Sequence, residues 1–213
     1  MGLKIMGKRN KGPISLNMME NRARSRRFML KTGLALPALY SLCHPARKLF
    51  AQSATPGCKS AKPTRKQTEG PFFTPDTPEK SDFRGDAPKG EPLILEAVVR
   101  DKNCQIIPGT QVELWHAGPD GAYDNKGYKF RGHQYADARG RVTFKTLVPG
   151  LYPGRTRHFH IKVQPPGGRM LTTQLYFPGE TGNILDWGHK RELEMDISPS
   201  ETGLSARFDF IIA

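Results

Sequence analysis

From residue 93 to residue 212 the chain alternates apolar and polar positions in short runs separated by turn-forming residues. Val112 and Leu114 alternate with Gln111 and Glu113, and Val142 and Phe144 with Arg141 and Thr143. Successive side chains of a strand point to opposite faces, so a period of two buries one face of a sheet. The runs 93–99, 111–117, 141–147, 159–163, 171–177 and 207–212 are each of strand length. Pro108-Gly109, Pro119-Asp120-Gly121, Ala138-Arg139-Gly140, Pro149-Gly150 and Pro165-Pro166-Gly167-Gly168 supply turns between them. No stretch combines helical periodicity with caps, and there is no internal repeat. The pattern predicts an all-β fold, an antiparallel β-sandwich over residues 93–213.

Ahead of the sandwich, residues 55–92 are dense in Pro, Gly, Lys and Asp without periodicity, and read as an extended arm lying on the domain. Residues 1–54 differ again. Of the formal charge of +13, nearly all lies in residues 1–53, which hold 11 basic residues and one acid, Glu20. The remainder carries only +3, so the basic composition does not indicate nucleic-acid binding. Ser25-Arg26-Arg27-Phe28-Met29-Leu30-Lys31 resembles a twin-arginine export motif, and the uncharged stretch 32–43 follows it. That stretch is shorter than the about 20 apolar residues needed to span a bilayer. Small side chains around Ala51-Gln52-Ser53 suit a signal peptidase. The expectation is a cleavable signal over 1–54, engagement of the twin-arginine machinery, and a periplasmic or secreted product. Once it is cleaved, Cys58 and Cys104 remain, and either a disulfide or two thiols satisfies the sequence.

The chemistry-bearing residues sit at strand ends and in turns. His158-Phe159-His160 opens a strand, where residues two apart share a face at about 6.5 to 7 Å between Cα atoms, so two imidazoles can converge on one ion. Phe159, Ile161 and Val163 then share the core face. A zinc hydrolase or a facial-triad ferrous oxygenase would want a further His or a carboxylate nearby, and the strand offers Lys162 instead. Two tyrosines lie in Gly/Pro-rich turns, Tyr123 after Gly118-Pro119-Asp120-Gly121-Ala122 and Tyr152 within Pro149-Gly150-Leu151-Tyr152-Pro153. A phenolate is a hard anionic donor whose free pKa near ~10 must be lowered by a strong cation, which favours a trivalent metal. Two Tyr and two His therefore point to Fe(3+). A metal-free, transthyretin-like binding module and a zinc hydrolase are the rival readings.

Residues 68–177 resemble the intradiol ring-cleavage dioxygenases, the family of catechol 1,2-dioxygenase and protocatechuate 3,4-dioxygenase. The likeness runs through Thr68-Glu69-Gly70-Pro71-Phe72, Val112-Glu113-Leu114-Trp115-His116-Ala117, Gly121-Ala122-Tyr123, Phe130-Arg131-Gly132 and Pro149-Gly150-Leu151-Tyr152-Pro153. It closes on Arg155, His158-Phe159-His160 and Thr173-Gln174-Leu175-Tyr176-Phe177. The resemblance implies a ferric ion held by Tyr123, Tyr152, His158 and His160, with Tyr152 as the ligand that leaves and takes a substrate proton. It implies Arg155 as the outer charge, Gln174 as a hydrogen-bonding residue of the oxygen pocket, and a catechol-type substrate with O2. His116, His133 and His189 are expected to be non-ligands, and Tyr128, Tyr135 and Tyr176 packing residues. Two positions depart from the family pattern: Arg155-Thr156-Arg157-His158 lacks the usual Pro, and Ala136-Asp137 stands for Thr-Asp. The added charge of Arg157 is expected to bear on substrate choice. Homo-oligomer formation is left open by the sequence.

Overall fold

The computed structural model describes residues 62–213, which belong to one compact unit. The signal segment 1–54, the start of the arm and Cys58 lie outside the described residues. Eight strands form in chain order: β1 (Pro92–Asp101), β2 (Gln111–Trp115), β3 (Arg131–Tyr135), β4 (Arg141–Leu147), β5 (His158–Gln164), β6 (Leu171–Tyr176), β7 (Asp196–Ser200) and β8 (Gly203–Ile212). Among the described residues there are three short 3-10 turns and no α-helix, and no helix is long and apolar enough to cross a membrane. The strands make two four-stranded sheets, ordered β4-β1-β8-β7 and β3-β2-β5-β6.

The apolar positions of the alternating runs meet between these sheets. Leu93, Leu95, Ala97 and Val99 of β1 and Val142 and Phe144 of β4 face Val112, Leu114, Phe159, Ile161, Val163 and Leu175 from the other sheet, with Phe210 of β8 beside them. Each fully buried Leu, Ile or Phe contributes about 1.5–3 kcal/mol, so this layer stabilises the sandwich. The antiparallel expectation describes β1–β4, β2–β3, β2–β5, β5–β6 and β7–β8, but β1 and β8 pair in parallel. The long connection from β1 to β8 lets the last strand enter beside the first in the same direction, which single-strand periodicity does not encode.

Two strands were absent from the expected set. β3 (Arg131–Tyr135) is polar because the arm, rather than solvent or core, covers part of it. β7 (Asp196–Ser200) is a mostly exposed edge strand that tolerates Pro199. Cys104 is disulfide-bonded.

The arm sets the location of the site. It leaves β8, where the Thr64 amide donates to Ile211 O at 2.9 Å, and crosses β6, where the Gln67 amide donates to Thr172 O at 2.8 Å. It then reaches β3 through Lys80 N to His133 O at 3.1 Å, and β4 through Phe83 N to Lys145 O at 2.7 Å. The outer face of the β3-β2-β5-β6 sheet thus lies under residues 64–83. This explains why β5 is buried at His158, His160 and Lys162 as well as at its core positions.

Candidate metal centre

Two glycine-rich turns bring the tyrosines together. The Gly118 amide donates to Ala122 O at 2.7 Å, closing the turn before Tyr123, and the Gly150 amide donates to Gly118 O at 2.9 Å, joining that turn to the one before Tyr152. A Cβ on Gly150 would stand 2.5 Å from Pro119 O, and Gly121, at φ +82°, has no room for a Cβ against Leu151 O. Only backbones without side chains can approach this closely. The Tyr123 and Tyr152 rings consequently meet edge to face at 5.7 Å.

Beneath them, β5 presents His158 and His160 on the arm-covered face. Tyr123 Oη lies 3.0 Å from His160 Nε2 and 3.3 Å from His158 Nε2, and the two Nε2 atoms are 3.1 Å apart. Donors about 2.0–2.2 Å from one ion, at angles between right and tetrahedral, stand roughly 3–3.5 Å apart. The three atoms fit one ion. His158 Nδ1 donates to Thr156 O at 2.7 Å, which leaves its Nε2 lone pair turned into the cluster. Burial lowers the His158 pKa to about 4 and holds His160 well below its ordinary value, so both imidazoles are neutral donors. Burial pushes the Tyr123 phenol upward, against the opposing charges of Arg155 and Arg131, so it ionises only beside a strong cation. No group of three or more His, Cys, Asp or Glu suited to a metal occurs among the described residues, and the phenol is what completes the set.

Tyr152 is brought alongside the cluster. Its ring is packed against Phe72 at 5.3 Å, and among the described residues its hydroxyl makes no hydrogen bond. Phe72 also stacks on Tyr123 at 4.6 Å.

Arg155 is held by a buried network that sequence reading did not anticipate. Its Nε donates to both Asp186 oxygens at 3.1 and 2.9 Å, and one Nη donates to Gln174 Oε1 at 2.8 Å and Tyr176 Oη at 3.3 Å. Asp186 also accepts the amides of Thr156 and Gly188, each at 2.7 Å. Burial works against its ionisation, but those amides and the guanidinium outweigh it and keep the carboxyl below its ordinary pKa. Gln174 donates to Thr68 O at 2.9 Å, so its amide is engaged in tying Arg155 to the arm. Tyr176 is fully buried as a packing residue, and its hydroxyl also bridges Gln67 and Gln174 at 2.8 and 2.9 Å. Asp186 lies 31 positions from Arg155 in a turn with no strand signal, and nothing local in the chain marked it.

The other expectations resolve as follows. His116 points to the core, bonded to Thr146 Oγ1 at 2.7 Å, and His189 pairs with Glu194 at 2.9 Å. His133 lies at the arm, 3.4 Å from Thr77 Oγ1. Tyr128 and Tyr135 are exposed rather than packed. Arg157 donates to Glu180 at 2.5 Å and to Pro149 O at 3.0 Å, so its added charge is neutralised locally. Arg131, buried in β3, joins the two loops around Tyr123 by donating to Phe72 O at 2.5 Å and Asp124 O at 2.9 Å.

The fold is a two-sheet β-sandwich in which a phenol and two imidazoles converge beneath an arm. A family model described as Dioxygenase matches residues 68–186, more than half of the chain. The chain belongs to the intradiol ring-cleavage dioxygenase family. It is 26% identical over 188 residues to a catechol 1,2-dioxygenase of Acinetobacter baylyi, covering 75% of this chain and 60% of that one. It is 30% identical over 136 residues to a hydroxyquinol 1,2-dioxygenase of Rhodococcus opacus, covering 52% and 45%. The chain thus spans about half the length of these relatives. Among solved structures, the dioxygenase domain of a dioxygenase carbohydrate-binding protein fusion from Streptomyces sp. SirexAA-E superposes with a TM-score of 0.69 at 44% identity, covering 71% of this chain and all of that one.

Proposed function

We propose that this chain is an Fe(III)-dependent intradiol dioxygenase that opens a catechol-type ring between its hydroxyl-bearing carbons with both atoms of O2. The observation that carries the reading is the meeting of Tyr123 Oη, His158 Nε2 and His160 Nε2 within 3.0–3.3 Å of one another. With Tyr152 alongside, these residues would hold the ion. When bound, ferric iron supplies Lewis acidity toward the catechol oxygens and an electron sink that makes the ring reactive toward O2. Two phenolates would leave one positive charge on such a site, which a hydroxide would balance; a catecholate dianion would be balanced only once Tyr152 had become a neutral phenol.

The chain's own residues have distinct tasks. Tyr152, whose hydroxyl makes no hydrogen bond among the described residues, would as a phenolate beside the ion be the base that takes a proton from a substrate hydroxyl and becomes a neutral phenol. Arg155 keeps a fixed cation beside the donors, and its second Nη makes no hydrogen bond among the described residues, so it is the donor left for developing negative charge. A cleft of about 360 Å³ bordered by Leu151, Tyr152, Arg155 and Leu185 has room for a single substituted ring. The charged residues of its lining, Arg155 and Asp186, are paired with each other, so the cleft favours neutral catechols over ring carboxylates. The relatives named above, a catechol and a hydroxyquinol 1,2-dioxygenase, agree with that substrate class.

The full chain loaded with ferric iron should be red to purple from phenolate-to-metal charge transfer. It should consume one O2 per catechol or hydroxyquinol while yielding a muconate-type diacid, with protocatechuate a poorer substrate. Iron-loaded protein that takes up no oxygen with any of the three would refute the reading. The leader 1–54 is proposed to send the folded protein through the twin-arginine route to the periplasm or beyond. A reporter fused after residue 60 that stayed in the cytoplasm would remove that claim and leave the iron claim intact.

A further inference from the structure

His158 and His160 are oriented by different means. His158 is locked by its bond to Thr156 O, whereas His160 Nδ1 is buried with no hydrogen-bond partner among the described residues. The His160 ring is instead set by packing. Trp115 stacks on one face at 4.9 Å with the planes 12° apart, and Gly70 of the arm lies so close that a Cβ there would be 3.2 Å from Cε1. Gly70 sits at φ +72°, a backbone state that suits glycine, and so presents bare backbone to the ring.

Both walls of this slot lead to Lys162. It follows His160 by two residues on β5 and so shares its face. Its side chain is only 10% exposed, yet its ammonium is ion-paired to Glu69, next to Gly70, at 2.8 Å. The ammonium also stands 3.1 Å from the centre of the Phe73 ring and 6.0 Å from that of Trp115. Phe73 in turn packs on Trp115 at 5.0 Å. Across the strand pair, Glu113 stands in register with Lys162 and adds a second negative group, itself held by Thr77 Oγ1 at 2.9 Å. A buried ammonium is costly unless such partners surround it, and an apolar residue would fill the position at lower cost. Apart from Glu113, the partners it has belong to the arm or to the wall that fixes His160.

We propose that Lys162 is a positioning residue for the metal centre: through Glu69 and Phe73 it clamps arm residues 69–73 onto the sheet, seating Gly70 against the His160 ring and Phe72 against Tyr123. The proposal rests on the ferric reading above. The Lys162 ammonium contacts Glu69, Phe73 and Trp115 and not the donor atoms of Tyr123, His158 or His160. It acts by keeping one imidazole, which lacks a hydrogen-bonded orienter, at a fixed angle to the tyrosine.

The test uses the full chain as wild type, K162M, K162R and E69Q, the last at a half-exposed position that leaves the sheet intact. K162M, loaded with one ferric ion and with unchanged far-UV circular dichroism, is expected to speed amide hydrogen exchange in residues 69–73 at least tenfold. It should also shift the phenolate-to-iron absorption band and lower kcat about tenfold with KM within threefold. K162R should restore the band, and E69Q should move all three readouts in the same direction by less. Faster arm exchange with an unmoved band and kcat would reduce Lys162 to a structural anchor and overturn the proposal, as would K162M matching wild type throughout. If K162M fails to fold, E69Q decides by the same criteria. A wild type that binds no ferric iron would instead overturn the functional reading beneath it.

Discussion

Asp186 is the residue whose loss should reveal most about how the site is built. Its side chain is 1% exposed and its pair with Arg155, 13% exposed, is a buried ion pair of 2.9 Å. In D186N the amide keeps one acceptor but turns an NH2 toward donors from Arg155, Thr156 and Gly188. Removing one partner of a buried pair costs about 3–5 kcal/mol, because the other charge stays buried without compensation. Against a total stability of about 5–15 kcal/mol this is a large share. At about 2–4 °C per kcal/mol for a domain of this size, Tm should fall by roughly 10 °C. E192Q is the matched control: the Arg65–Glu192 pair is 55% exposed on both sides and should be worth less than about 1 kcal/mol. The pH dependence has a definite sign. Asp186 is held below its ordinary pKa, so its contribution is complete above the unfolded carboxyl value of about 4 and is lost as pH falls through the lower folded value. The gap in Tm between wild type and D186N should therefore be constant from pH 5 to 8 and narrow in more acid solution. Thermal unfolding followed by circular dichroism reads both effects. A D186N shift no larger than that of E192Q would refute the buried-network account of Arg155.

Three further outcomes follow from the geometry. R155A, assayed below its unfolding temperature, should retain the iron colour and lose turnover about 100-fold or more, since a fixed cation beside the reacting oxygens is removed; undiminished oxygen uptake would exclude that role. G150A should disturb both tyrosine turns at once, because its Cβ would meet Pro119 O at 2.5 Å, and iron titration should show weakened binding together with a lowered Tm. His116 is buried beside Thr146 with its pKa lowered to about 3, so it is neutral in the fold and protonates on unfolding below pH 6.5. Its contribution is full above pH 6.5 and lost as pH falls toward 3, so the wild-type Tm should drop more steeply across that window than that of H116Q; parallel profiles would contradict the assignment.

The alternation of Val112, Leu114, Val142 and Phe144 was enough to specify a sandwich, because a period of two has only one way to hide its apolar face. Likewise the spacing of His158 and His160 placed both on one face of β5, and the glycines before Tyr123 and Tyr152 marked turns. These properties are local. The parallel entry of β8 beside β1, the covering of a sheet's outer face by the arm, and the burial of Lys162 and Arg131 depend on segments far apart in the chain. The same holds for Asp186 and Tyr176: an ion pair formed across 31 residues leaves no periodicity to read. The sequence by itself determined which donors face one way, since strand geometry repeats every two residues. Only the tertiary structure decided which charges and backbones hold those donors at 3.0–3.3 Å from one another, because that distance is the sum of contacts made between elements rather than within them.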